Sequence, residues 1–186
     1  MRKELITIVI LLGLVLPGFS QFTKGKFLAG GTFTASSNSY KYNDGSSSSK
    51  SSSTSLNPQI GYFFIDNFAA GAGLTLSATK ATFNDNSKAT FNSISFAPFA
   101  RYYFGNFYGQ ASFLLGSEKI KSDGVSASTS KVKSTGWTLA AGYAYLLNDH
   151  VAIEPQLGYK AEYLGTVDRT NGSLFLNIGL QVYIGK

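Results

Sequence analysis

Eight times along this chain, apolar side chains alternate with small or polar ones over runs of roughly ten residues or more. A period of two places every second side chain on the same face, which is the geometry of a strand and not of a helix. The runs cover about Lys26–Ser36, Thr54–Ile65, Phe68–Thr79, Ser93–Phe104, Phe107–Gly116, Thr135–Leu147, Val151–Glu162 and Ser173–Gly185. Three strings show how they are joined: GYFFIDNFAAGAGL (61–74), RYYFGNFYGQASF (101–113) and YAYLLNDHVAIEPQLGY (143–159). Each is a run, a tight turn of Asp, Asn or Gly, and a second run. The turns centre near Asp66, Gly105 and Asp149, about 40 residues apart, as expected of a repeated β-hairpin.

Runs of this length exceed the five or six residues of an ordinary soluble strand. They suit tilted strands that cross a bilayer, which need about 9–11 residues. Eight is an even number, and three short turns alternate with four longer connections, at about 37–53, 80–92, 117–134 and 163–172. That is the up-and-down pattern of a barrel with short turns at one end and long loops at the other. The first long connection holds SSSSKSSS (46–53), whose composition predicts a flexible tract.

Residues 1–20 read as a cleaved secretory leader, leaving one domain, 21–186. Arg2 and Lys3 precede the apolar stretch Ile6–Leu16, and Pro17, Gly18 and Ser20 supply a small-residue exit. A membrane anchor is the alternative, but the stretch is short and no stop-transfer charges follow it. After residue 20 no segment is long and apolar enough for a spanning helix. Cysteine is absent, so no disulfide framework holds the exported domain. Net charge is +6, with lysines spread through the predicted loops (Lys41, Lys50, Lys88, Lys119, Lys121, Lys131 and Lys133). They read as solvated charges that can meet anionic lipid headgroups, and no nucleic-acid partner is expected.

A soluble β-sandwich or lipocalin-like barrel also alternates, and the parity of the polar set distinguishes them. Here the second set holds Arg101, Glu154, Lys160, Glu162, several Gln and Asn residues and many glycines. Such a set suits a narrow hydrogen-bonded lumen. Aromatics on the apolar parity crowd the short turns: Tyr62, Phe64, Phe68, Tyr102, Phe104, Phe107, Tyr143 and Tyr145. They are the expected periplasmic girdle, with Trp137, Phe33, Phe96 and Tyr159 suited to the opposite one. Pro58, Pro98 and Pro155 sit inside strand runs, where each loses a ladder hydrogen bond, and bulges are expected there.

The strings SLNPQIGYFFIDNFAAGAGL, SFAPFARYYFGNFYGQASF and VAIEPQLGY resemble the small outer-membrane-protein β-barrels, the porin-family or OmpX- and OmpA-like barrels of Gram-negative bacteria. The likeness covers about Lys26 to Lys186. It implies an all-β, eight-stranded antiparallel up-and-down transmembrane barrel in the cell outer membrane. It further implies a monomer among outer-membrane lipids and lipopolysaccharide, inserted by the barrel assembly machinery. Many such barrels end on an aromatic residue, whereas this chain ends Tyr183-Ile184-Gly185-Lys186.

No enzyme or cofactor is expected. His150 is the only histidine and lies beside the Asn148–Asp149 turn, without a serine motif for nucleophilic catalysis. One histidine and no cysteine exclude a histidine–cysteine metal site, and Asp44 and Asp85 lack calcium-loop spacing. The single charged constellation is Arg101, Glu154, Lys160 and Glu162, either a salt-bridge plug or a gate. The expected role is structural, or contact with an extracellular ligand through the loops. A small-solute channel through the charged lumen is the alternative.

Overall fold

The computed structural model describes residues 22–41, 48–83, 87–123, 128–165 and 169–185. These form nine strands: β1 (Phe27–Lys41), β2 (Ser48–Ile65), β3 (Phe68–Phe83), β4 (Lys88–Phe104), β5 (Phe107–Asp123), β6 (Ser128–Tyr143), β7 (Tyr145–Leu146), β8 (Val151–Leu164) and β9 (Arg169–Ile184). β7 continues β6 past Ala144, so the strands make eight staves. Every neighbour in the order β6-β5-β4-β3-β2-β1-β9-β8 is antiparallel, and β8 returns to β6 to close an up-and-down barrel. No helix among the described residues is long and apolar enough to cross a membrane.

The turn end is tightly built. Asp66–Asn67 joins β2 to β3 and Gly105–Asn106 joins β4 to β5. Gly105 has φ 59°, a left-handed conformation that glycine adopts without steric cost. The one register shift in the β2–β3 ladder falls beside the first turn, between Phe63 and Ile65.

The alternation is realised in space as the sequence implies. Along β4, Ile94, Phe96, Pro98, Ala100, Tyr102 and Phe104 point outward and are exposed. Phe99, Arg101 and Tyr103 point inward and are buried. At about 3.3 Å per residue and a tilt of about 40°, the stretch Ile94–Phe104 stands about 25 Å tall, the height of a lipid-facing apolar band. All 17 residues of β4 stand about 40 Å tall by the same arithmetic, so the strands run well beyond that band.

That extension corrects the expected long loops. The stretch 37–53 is not a flexible loop where it is described: Ser36↔Ser53 through Lys41↔Ser48 continue the β1–β2 ladder. Ser53 Oγ and Thr79 Oγ1 are hydrogen-bonded at 2.9 Å across β2 and β3. The other connections are likewise consumed by strand, with β3 reaching Phe83, β5 reaching Asp123 and β8 reaching Leu164. Once the register is set by the apolar band, pairing the next backbone groups satisfies them without any demand on side-chain polarity. Residues 42–47, with Asp44, and 84–86, with Asp85, lie outside the described residues, as do 1–21 and the expected leader.

The prolines do not make bulges. In each case the ladder omits the proline and the residue before it on one side only, and resumes in the same register. The gaps lie at Asn57–Pro58 towards β3, Ala97–Pro98 towards β5 and Glu154–Pro155 towards β6 and β7. On the other side each proline keeps a regular partner: Gly31↔Pro58, Ala72↔Pro98 and Pro155↔Ile178. The missing N–H thus leaves a local gap without an extra residue. The break between β6 and β7 is the third of these gaps, where the Ala144 N–H donates to the Asn106 carbonyl at 2.7 Å.

Closure between first and last staves is short. β1 and β9 pair over Phe27–Thr32 against Gly179–Ile184. A Cβ on Gly30 would collide with the Leu180 carbonyl and the Gln181 side chain, so this approach depends on glycine. Above Thr32, β1 pairs only with β2, and the outward residues on the two facing edges are strongly exposed (Phe33 66 %, Leu174 77 %, Leu176 72 %).

Candidate functional site: a plugged lumen and a lysine-bearing outer wall

The lumen is filled at the turn end and hollow above it. Leu28, Phe63, Ala69, Phe99, Tyr103, Tyr108, Ala144, Ala152 and Tyr183 form a buried apolar cluster inside the barrel mouth. Phe22, just before β1, completes it. Its ring stacks on Tyr103 at 3.9 Å and meets Tyr183 edge-on at 5.3 Å. The segment is held by backbone bonds, Asn67 N–H to the Phe22 carbonyl at 2.7 Å and Gly25 N–H to the Phe63 carbonyl at 2.9 Å. The Lys24 N–H donates to Asp66 Oδ1 at 2.8 Å.

Immediately above this cluster, β4 and β8 bring Arg101 and Glu154 together. Both are fully buried, and Arg101 Nη1 donates to Glu154 Oε2 at 2.8 Å. The other Glu154 oxygen accepts from the Tyr183 hydroxyl. Arg101 also donates to the Tyr103 hydroxyl at 2.9 Å and, through Nε, to Gln110 Oε1 at 2.8 Å. Its guanidinium carbon lies 4.1 Å from the centre of the Tyr108 ring. A buried ion pair persists only when its remaining polar atoms find partners, and here tyrosines and a glutamine supply them.

Lys160 and Glu162 also face inward but form a second pair, Nζ to Oε2 at 2.7 Å, in a more solvated part of the lumen. The four residues grouped by sequence therefore divide into a buried pair and a half-exposed one. Between and above them is a cavity of about 490 Å³ lined mainly by Ser, Thr, Asn and Gln, with Glu118, Lys160 and Glu162 on its wall. Among the described residues no three His, Cys, Asp or Glu side chains gather to hold a metal.

Sequence reasoning missed Tyr103, Tyr108 and Phe22 as partners of the charged pair. Tyr103 and Tyr108 were legible as inward-parity tyrosines near Arg101. Phe22 carried no signal, because it precedes the first alternating run. Tyr183, the residue nearest to a terminal aromatic, faces the lumen, and Ile184 faces outward. His150 lies in the turn expected for it, its Nδ1 3.2 Å from the Tyr183 carbonyl oxygen.

Outside, Tyr62, Phe64, Phe68, Tyr102, Phe104, Phe107, Tyr143 and Tyr145 all take the outward parity around the turn end. Neighbours touch: Tyr62–Phe64 at 5.1 Å, Tyr102–Phe104 at 4.6 Å and Phe107–Tyr143 at 4.8 Å between ring centres. Higher on the wall, Trp137 packs against Tyr159 at 5.6 Å. Above these, Lys50, Lys80, Lys88, Lys119, Lys121, Lys131 and Lys133 are exposed on the same outward parity. They are scattered in sequence but sorted onto the outer face of the wall, which corrects the reading of Lys50, Lys88, Lys119, Lys121, Lys131 and Lys133 as loop charges.

The family described as outer membrane protein β-barrel domain matches residues 6–181. No curated protein matches the chain. Among solved structures, the translocator domain of the autotransporter NalP from Neisseria meningitidis is 17% identical. The match covers 97% of this chain and 68% of that one at a TM-score of 0.52. Neisserial surface protein A is 18% identical over 86% of this chain and 97% of its own, at a TM-score of 0.48. The outer membrane protein OprG from Pseudomonas aeruginosa is 17% identical over 89% and 99%, at 0.46.

Proposed function

Because the chain belongs to the outer membrane protein β-barrel domain family, we propose that it is an integral outer-membrane barrel with a structural or surface-interaction role and no enzymatic activity. The observation that carries this reading is the sealed turn end. Phe22 and the buried Arg101–Glu154 pair, wrapped by Tyr103 and Tyr183, fill the lumen at that end among the described residues. The aromatic ring from Tyr62 to Tyr145 serves as the periplasmic girdle, since amphipathic and apolar rings settle at headgroup level. The opposite end, built of tall polar hairpins, is then the face presented outside the cell.

A small-solute channel is the second reading, favoured by the cavity of about 490 Å³. It requires Phe22 and the ion pair to move aside. Purified full-length protein in a planar bilayer separates the two. The closed-barrel reading expects no single-channel steps from the wild-type protein. Defined steps whose size changes in Arg101→Ala would overturn it in favour of the channel.

A further inference from the structure

The outer wall carries its charge unevenly, and the unevenness is greatest on the β5–β6 hairpin. Lys119 and Lys131 are direct cross-strand partners. Lys121 and Lys133 stand one same-face step away on their own strands, and all four are exposed. Like charges directly opposite one another repel. Their other register partners are neutral: Asn92 and Thr90 on β4, Ser117 on β5 and Thr129 on β6. The nearby Glu118 turns the other way, into the cavity. Asp123, two residues beyond Lys121 at the end of β5, is the register partner of Lys88. The hairpin therefore gathers four cations with no carboxylate register partner among the described residues.

From this geometry we propose that the outer face of the β5–β6 hairpin binds the phosphate groups of phosphorylated lipids packed around the barrel. The proposal rests on the outer-membrane reading above. Two placements support it. First, the lysines share the parity of Phe113, Leu115 and Trp137, the lipid-facing residues of the same two strands. A ligand they hold lies beside the barrel and not above its mouth. Second, the cluster begins just past the end of the apolar band. Lys133 is four residues from Trp137, about 13 Å along the strand and about 10 Å in height at a 40° tilt. This is the depth of headgroups beyond an interfacial aromatic, and lysine stems can lie along apolar wall while the ammonium meets phosphate.

The test uses full-length protein folded in zwitterionic micelles and titrated with bisphosphorylated lipid A, its dephosphorylated form and inorganic pyrophosphate. Trp137, the only tryptophan, sits at the edge of the cluster and reports binding by fluorescence. Bisphosphorylated lipid A is expected to bind at least about tenfold more tightly than the dephosphorylated form, with the preference falling as salt rises. K119Q/K121Q/K131Q/K133Q should abolish the preference, and K50Q/K80Q/K88Q should keep most of it. Equal affinity for the two lipids, an unaffected quadruple variant, or pyrophosphate binding as tightly as lipid A each overturns the proposal. Folding is checked for each variant by its heat-dependent gel migration. If the quadruple variant does not fold, K119Q/K131Q replaces it with the same expected direction. Wild-type protein that fails to partition into membranes would overturn the underlying membrane reading instead, a separate outcome.

Discussion

At the level of single residues, Arg101 and Glu154 dominate the interior. Each is surrounded by polar partners: Arg101 and Tyr183 each bond one of the two carboxylate oxygens, and Tyr103, Gln110 and the Tyr108 ring surround the guanidinium. Removing one partner leaves the other charged and buried, at a cost of about 3–5 kcal/mol. Arg101→Met alone is therefore expected to lose stability of that order in urea unfolding from lipid vesicles. Arg101→Met with Glu154→Leu should recover most of it, because neither charge then remains. A double variant no better than the single one would show that packing, not the unpaired charge, sets the loss.

At the level of strands, the most informative feature is how differently the staves are joined. The β1–β2 ladder runs from Phe27↔Tyr62 to Lys41↔Ser48, whereas β1–β9 ends at Thr32↔Gly179. The absence of native cysteine makes this directly measurable by paired cysteine substitution. Ala29 and Val182 are register partners, so Ala29→Cys with Val182→Cys should crosslink on mild oxidation, because paired strand positions bring Cα atoms within disulfide range. Phe33→Cys with Ile178→Cys would be the next outward pair but one if the ladder continued, and should stay reduced. Equal crosslinking at both sites would mean that the two edges zip fully in the membrane. The strand cores were legible from period-two alternation alone. Their upper ends were not, because serine-, threonine- and lysine-rich stretches look like loop by composition while hydrogen-bonding as strand. The prolines were legible as ladder defects, but whether a lost N–H adds a bulge depends on the neighbouring strands.

For the whole molecule, eight staves about a polar cavity make a body that is apolar at mid-height, polar inside and cationic on its upper outer wall. A body of this kind resists detergent until its ladder melts. The full-length protein extracted from membranes should migrate differently on a gel before and after boiling, and identical migration would argue against a closed transmembrane barrel. The chain alone determined the number of long runs, their hairpin order, the parity that faces lipid and the aromatics around the turns. All of these follow from a local rule, that successive strand residues point to opposite faces, applied to a chain whose apolar set must be covered by something. Tertiary structure alone decided that Arg101 meets Glu154 while Lys160 meets Glu162. It also decided that Phe22 enters the barrel mouth, that the first and last staves part above Thr32, and that Lys119 stands opposite Lys131. Each of these depends on which strands become neighbours and in what register, and closing the barrel sets that through contacts between residues far apart in the chain.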